Sequence, residues 1–395
     1  MGRFTKGFIA TLLLAGCAGL TGYVGVADAA AEPGTPNDVA RWLAGMNVGT
    51  PVDSATAFVL NGAALHRSEL GAAALRTAAV STGAGVAPTP RERLDRAWAE
   101  LATTRTAPMR GFAAQHLAHE QQNCRTLFYP FSGPDVLNAV TLFPSCETYV
   151  MFGLEPVGAL PHLDRMTDES KAAVLADMVR AQNFIIKRNF FVTQYMREDL
   201  NTPHLKGVLP LMSAMLVRMG YEVRDVRMSQ VDGTPWPAGS PKRPRAVTID
   251  FGRPGGPDQH LFYANFDASN GGLKTKPDFL HYLDGVHDAV TLLKAASYLL
   301  HDGSFSVMRD QIEQRSAAIV QDDSGLPYAS LTSAGFSVEL YGNYVGTIPV
   351  FKYRYQRDLA GAYVAAKERE PLPFAWSYAV KRNEEALQIA RRPGA

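Results

Sequence analysis

The sequence carries almost no net charge. Its 39 Lys and Arg residues nearly balance its 38 Asp and Glu residues, which leaves a formal charge of +1. A protein that holds a nucleic-acid backbone uses a broad positive field, and this chain lacks one. We therefore expect no nucleic-acid partner.

Familiar motifs of catalysis and metal binding are also missing. The sequence contains neither the GxSxG string of serine hydrolases nor a phosphate-binding Walker loop. His116, His119 and Glu120 follow one another at helical spacing, but the string HLAHE is neither HExxH nor HxxEH. We therefore expect no metal site, and the motifs identify no cofactor.

The composition is that of a folded chain with a sizeable core. Hydrophobic residues make up 46% of the 395 residues and charged residues 19%. Disorder requires low hydrophobicity together with high net charge, and neither is present. The length allows one large domain or two ordinary ones.

The amino terminus has the pattern of an export signal. Arg3 and Lys6 precede an uncharged stretch over residues 7–26. The string LAGC, which ends at Cys17, matches the lipobox of bacterial lipoproteins, whereas ADA, which ends at Ala29, matches ordinary signal-peptidase cleavage. An uncleaved anchor is a third interpretation, because about 20 apolar residues can span a bilayer.

We interpret residues 1–29 as a signal peptide and favour the lipobox. The protein is then exported, as an outer-membrane lipoprotein or a periplasmic protein. With the lipobox, a lipid on Cys17 anchors it to the membrane.

The other two cysteines of the three, Cys124 and Cys146, form an even pair. Each immediately precedes a predicted core strand, and neighbouring parallel strands lie about 4.8 Å apart. A disulfide needs Cα atoms about 4.4–6.8 Å apart, so this topology predicts a bond in an oxidising compartment. Two independent buried thiols are the alternative.

The pattern of predicted elements changes near residue 120. Residues 30–120 indicate a tether and helices, including a helix over Thr56–Leu75 and one that Thr89 caps. After Arg125, a strand, a tight turn, a helix and a second strand follow within about 30 residues, which is the size of a βαβ unit. We predict a three-layer Rossmann-like α/β domain with a mixed sheet over residues 121–395.

Further strands and helices are predicted in the carboxyl-terminal part of the chain. The pattern predicts an antiparallel hairpin from the segments 246–251 and 260–267. It also predicts a helix over Ala289–Leu300, a strand over Pro373–Val380 and a final helix capped by Asn383.

Two polar clusters follow predicted strands. The turn Ser132-Gly133-Pro134-Asp135 follows the first strand and Glu155 ends the second. In doubly wound sheets, ligands bind at the carboxyl ends of the strands, and an acid after the second strand often holds a ribose. Ser132 is a candidate nucleophile, and Gly133, Asp135 and Glu155 are candidate ligand-binding residues; the alternative is a tight turn with a helix cap.

The second cluster is Asp322-Asp323-Ser324-Gly325, which leaves a buried strand. One carboxylate could act as a general base with Ser324 as the nucleophile, and Gly325 would line the ligand site. The alternative is a turn that closes the strand. Because parallel strands finish on one side, we expect a shared cleft of residues 130–135, 155 and 321–325.

Two resemblances accompany these motifs. The SGPD turn followed by Glu155 resembles the opening of the Rossmann-like methyltransferase fold, which implies that topology. The strings FYPFSGPDVLNAVTLFP, YVMFGLEPVG, KAASYLL and QDDSGLPY are similar to those of a family of exported bacterial proteins. That resemblance implies a common fold over most of residues 90–392 and assigns no catalytic residues.

The sequence thus predicts an exported, lipid-anchored cell-envelope protein with a Rossmann-like domain. The alternatives are an envelope hydrolase that uses the Asp and Ser residues at the strand ends, and a degenerate methyltransferase-like protein.

Overall fold

A nine-stranded sheet runs through the part of the chain that the computed structural model describes, namely residues 34–46, 88–190, 199–366, 368–378 and 384–394. These residues belong to one compact unit, Gly34–Ala395. The predicted signal peptide, Cys17 and the predicted helix over Thr56–Leu75 lie outside the described residues.

The strands, in chain order, are β1 (Thr126–Tyr129), β2 (Thr148–Gly153), β3 (Glu222–Ser229), β4 (Ala246–Gly252), β5 (Gln259–Asn265), β6 (Ala289–Leu293), β7 (Ser316–Gln321), β8 (Ser337–Gly342) and β9 (Ala386–Arg391). Their order across the sheet is β3-β4-β5-β2-β1-β6-β7-β9-β8. The five strands from β5 to β7 are mutually parallel, whereas β4 and β9 run antiparallel to their neighbours. This mixed α/β sheet confirms the predicted fold class.

The described α-helices are α1 (Pro36–Leu43), α2 (Pro90–Leu101), α3 (Ala107–His116), α4 (Ala118–Gln122), α5 (Val136–Leu142), α6 (Asp168–Arg188), α7 (Leu209–Arg218), α8 (Asn270–Thr275), α9 (Asp278–Leu283), α10 (Ser306–Arg315), α11 (Tyr328–Ser333) and α12 (Arg357–Ala365). A π-helical turn, Ala102–Thr106, joins α2 to α3. Short 3₁₀ turns are Leu163–Arg165, Leu299–His301, Gly303–Phe305 and Pro349–Arg354.

The sheet separates two hydrophobic cores. Successive side chains of a strand point to opposite faces, so Leu127 and Tyr129 of β1 join one core while Phe128 joins the other. The first core takes in α5 and α7, and the second takes in the α9 and α10 side. Burial on both faces explains why the parallel strands are continuously apolar in sequence.

The amino-terminal helices share the first core. Leu94 and Trp98 of α2 are buried in it, and the Trp98 indole donates a hydrogen bond of 2.9 Å to Gln182 of α6. The cap predicted at Thr89 is confirmed, and it is part of a capping box in which Thr89 and Glu92 each accept from the other's backbone N–H. The domain boundary between residues 120 and 121 stays a prediction.

The helix predicted over Ala289–Leu300 is wrong. Residues Ala289–Leu293 form the central strand β6, in which all five residues are buried. A short apolar run shows no periodicity that separates a buried strand from a buried helix. The antiparallel hairpin of β4 and β5 is confirmed.

The carboxyl-terminal predictions are also wrong. The final helix is replaced by β9, whose sequence ALQIAR contains good helix formers that tertiary pairing overrides. Its proposed cap, Asn383, lies outside the described residues, and residues 373–378 contain no strand.

The predicted disulfide is confirmed. Cys124 and Cys146 are bonded, with their Cα atoms 4.6 Å apart, next to the parallel register that pairs Thr126 with Thr148. The bond lies at the amino ends of β1 and β2, opposite the sheet edge at which these strands end. None of the described helices is long and apolar enough to cross a bilayer.

Candidate functional site

A cavity of about 90 Å³ lies at the carboxyl ends of β1, β2 and β6. Within the sheet, β2 lies beside β1 in one direction, while β6 and β7 lie beside it in the other direction. The crevice between β1 and β6 is therefore the topological switch point, where open α/β sheets bind ligands. The cavity is lined by the turn after β1, by Glu155 after β2 and by residues 294–297 after β6.

Asp135 forms the centre of a buried polar group in this cavity. As the N-cap of α5, its carboxylate accepts from the backbone N–H of Asn138 at 3.2 Å and from the Asn138 amide at 2.8 Å. One of its oxygens, Oδ2, accepts the Tyr129 hydroxyl at 2.8 Å and faces Lys294 Nζ at 3.2 Å. Three residues from two strand ends thus meet in one hydrogen-bonded chain.

Lys294 is almost completely buried. Its side chain is 1% exposed, and its ammonium also donates to the carbonyl oxygen of Asn189. The ammonium lies 5.8 Å from the centre of the Trp376 ring. Burial lowers the pKa of Lys294, and the Asp135 carboxylate opposes that change.

Backbone strain is concentrated around the cavity. In the described part of the chain, seven non-glycine residues have positive φ angles, which L-residues rarely adopt. Three of them, Phe131, Ala295 and Ser297, line the cavity. Two more, Tyr298 and Asn189, are next in sequence to the lining residues Ser297 and Phe190. Asp288 and Ser377 are the exceptions, and each such residue costs about 1–3 kcal/mol.

The strained turn after β6 is held by groups behind it. Asp322 accepts the Ala295 N–H at 2.6 Å, and the Ser324 hydroxyl accepts the Ala296 N–H at 2.7 Å. Tyr378 accepts the Ser297 N–H at 3.0 Å and donates to the Ala295 carbonyl at 2.7 Å. The turn therefore keeps its shape through side chains that come from other parts of the fold.

Asp322 and Asp323 form a buried carboxylate pair behind this turn. Burial raises the pKa of Asp322. Burial and the neighbouring charge of Asp322 raise the pKa of Asp323 to about 7, although its carboxylate accepts the Tyr298 hydroxyl at 2.5 Å. Neither carboxylate lines the cavity.

The Glu155 carboxylate is packed between two glycines. A Cβ on Gly153 would clash with it, and one on Gly133 would lie 3.4 Å from its Oε2. Tyr263 donates to the Glu155 carbonyl at 3.0 Å, and the residue is 3% exposed while it lines the cavity. The two glycines therefore let the acid reach the cavity wall.

The structure brings some of the candidate residues together at the cavity. Ser132, Gly133, Asp135 and Glu155 line it, whereas Asp322, Asp323, Ser324 and Gly325 lie at the same sheet edge in a layer behind. Gly325 makes room for Gln321, whose side-chain amide holds Leu326 through two bonds of 2.9 Å.

The two candidate nucleophiles have structural hydrogen bonds. Ser132 donates to the carbonyls of Gly133 at 3.0 Å and Phe152 at 3.3 Å. Ser324 is fully buried and donates to Asp322 at 2.5 Å. The Ser132 hydroxyl is directed to backbone carbonyls and the Ser324 hydroxyl lies behind the cavity, so the geometry favours binding over nucleophilic attack by serine.

Sequence reasoning missed Lys294 and Tyr129. The signal for Lys294 was present as a single charge within the apolar run AVTLLKAASYLL, but the assignment of that run to a helix hid its position at a strand end. Tyr129 looked like an ordinary β-forming residue at the end of the first strand.

His116 and Glu120 of the helical cluster have other partners. His116 contacts the Tyr341 hydroxyl at 3.1 Å and Glu370 at 3.0 Å, and Glu120 pairs with Arg391 at 2.6 Å. Among the residues that the structure describes, no group of three His, Cys, Asp or Glu side chains has the arrangement of a metal site.

No protein-family model matches the chain, and no curated protein matches it.

Proposed function

We propose that this chain is an exported cell-envelope protein that binds a small hydroxyl-bearing ligand in the cavity at the strand ends. The observation that carries the proposal is the convergence of strain: five of the seven non-glycine positive-φ residues in the described ranges line this cavity or are next in sequence to residues that line it. Such strain persists where a binding surface is held in shape, and it clusters at functional sites.

The size and polarity of the cavity limit the ligand. Sites for drug-sized molecules have volumes of about 300–1,000 Å³, whereas this cavity holds about 90 Å³. Glu155 supplies acceptors for hydroxyl groups, and Phe131 and Phe190 supply apolar walls. A polyol or hydroxy compound of a few carbon atoms fits this combination.

The location forms the second part of the proposal. A disulfide between Cys124 and Cys146 suits an oxidising compartment, and the amino-terminal pattern that ends at Cys17 or at Ala29 is typical of exported chains. We place the protein in the cell envelope, tethered by a lipid on Cys17.

An adenosyl ligand is a second candidate, because the strand order favours it. The segment β5-β2-β1-β6-β7-β9-β8, with β9 antiparallel, is the order typical of Rossmann-like methyltransferases. The residues at the crevice do not fit S-adenosylmethionine, however. The cavity is too small, and the Asp135–Lys294 pair crosses the switch point. We therefore derive no methyl transfer.

The test is a ligand-observed NMR screen of small polyols and hydroxy acids, including glycerol, against the purified protein. We expect binding by the wild type and at least a tenfold loss in Glu155→Gln, since the carboxylate is the stronger acceptor.

Glu147→Gln is the matched control. Glu147 is an exposed acid immediately before β2, whereas Glu155 follows the other end of that strand. Equal binding by both variants would contradict the assigned site, and a screen without any hit would contradict the proposed function.

A further inference from the structure

We propose that Lys294 captures a small hydroxyaldehyde or hydroxyketone in this cavity as an imine. The inference rests on the proposed function and names the ligand class more closely. The observation behind it is that a primary amine, a carboxylate and a phenol form one chain on the wall of a cavity at the switch point of the sheet.

The geometry fixes the position of the amine. Asp135 Oδ2 lies 3.2 Å from Lys294 Nζ, and Asp135 is itself held by Asn138 and Tyr129. The turn that follows Lys294 is strained and tied down by Asp322 and Tyr378. A nucleophile benefits from such positioning, because little freedom is lost when the ligand arrives.

An amine attacks a carbonyl only in its neutral form. Burial lowers the pKa of Lys294, and the positive charge of Arg105 acts in the same direction, whereas Asp135 and Asp322 oppose it. The net direction favours the neutral amine more than at an exposed lysine.

The reaction balances without an oxidant or reductant. The lone pair of neutral Nζ forms a bond to the carbonyl carbon, and the π pair of the carbonyl moves to its oxygen. Both protons of the amine pass to that oxygen, one at a time through Asp135, and it leaves as water. The products are one imine and one water. Tyr129 is a positioning residue, since its hydroxyl donates at 2.8 Å to Asp135 Oδ2, the oxygen that carries the protons.

The rest of the cavity selects for hydroxyl groups beside the carbonyl. Glu155 lines the same cavity and accepts hydrogen bonds, so a ligand with a hydroxyl next to its carbonyl engages both groups. The volume of about 90 Å³ restricts it to a few carbon atoms. Dihydroxyacetone satisfies these conditions, and glycerol is its counterpart without a carbonyl.

The experiment traps the imine by reduction. The purified protein is incubated with dihydroxyacetone and cyanoborohydride at neutral pH, and the modified lysines are located by peptide mass spectrometry. We expect Lys294 to be modified at least tenfold faster than the exposed Lys274 and Lys276. Excess glycerol should slow the modification of Lys294 alone.

Two variants separate chemistry from folding. Lys294→Arg keeps a cation opposite Asp135 and should abolish the adduct while circular dichroism shows a folded protein. Tyr129→Phe should leave Lys294 modifiable but slow the reaction and change its pH profile, an effect that a purely structural role would not produce.

The outcomes distinguish the two proposals. If Lys294 is modified no faster than Lys276 while dihydroxyacetone still binds, the imine is wrong and the proposed function stands. If dihydroxyacetone neither binds nor forms an adduct, and the polyol screen also gives no hit, both are wrong.

Discussion

Asp323 couples protonation to stability. Its pKa in the folded protein is raised from an ordinary value of 3.8 to about 7, so between these values the folded state holds a proton that the unfolded state releases. The stabilisation is complete below pH 3.8 and is lost as the pH rises through about 7. Each pKa unit corresponds to about 1.4 kcal/mol.

Asp323→Asn removes this dependence, because an amide does not ionise and its oxygen can still accept the Tyr298 hydroxyl. We expect the free energy of unfolding, measured with urea, to fall less between pH 5 and pH 8 in the variant than in the wild type, by on the order of 1–4 kcal/mol.

Asp310→Asn, at an exposed position on α10, serves as the control and should follow the wild type. Parallel curves for the wild type and Asp323→Asn would contradict the assignment.

The position of a residue at a strand end can be predicted from sequence only where the strand itself can be predicted. Ser132, Asp135 and Glu155 follow strands that their apolar runs indicate, and they line the cavity. Lys294 was hidden by the wrong assignment of its segment. The positive φ angles at Ala295 and Ser297 could not be predicted, because neither residue type signals a left-handed backbone.

At the scale of elements, the disulfide joins the starts of β1 and β2. Its two cysteines are 22 positions apart, and closing a loop of this size stabilises the folded state by about 3 kcal/mol on the chain-entropy model. We expect the double variant Cys124→Ser, Cys146→Ser to unfold at lower urea with a loss of about that size.

A reductant should reproduce the loss in the wild type and have no effect on the double variant. A wild type whose stability is unchanged by reduction would show that the bond does not form in the isolated protein.

The elements that could be predicted share a local signal. The capping box at Thr89 marks α2, and a Gly/Pro-rich segment between alternating strands marks the β4–β5 hairpin. The strands β6 and β9 lack such a signal, because burial on both faces removes the alternation that identifies a strand. Their identity depends on partners distant in sequence.

At the scale of the whole molecule, the proposed location depends on the amino terminus. We expect Cys17→Ser to abolish incorporation of labelled palmitate in the producing cell, while the wild type is labelled, because the lipidated cysteine becomes the first residue after cleavage. Fractionation should place the wild type in membranes. A mature amino terminus at Ala30, or equal labelling of both proteins, would contradict the lipid anchor.

The position of β9 has a consequence for the order in which the protein is made. This strand follows every other described strand in sequence, yet it pairs between β7 and β8 in the interior of the sheet. Until residues 386–391 have emerged, β7 presents an unpaired edge and β8 has no partner in the sheet. Open edges of this kind pair with other chains, so the incomplete protein is most prone to aggregation just before synthesis reaches β9.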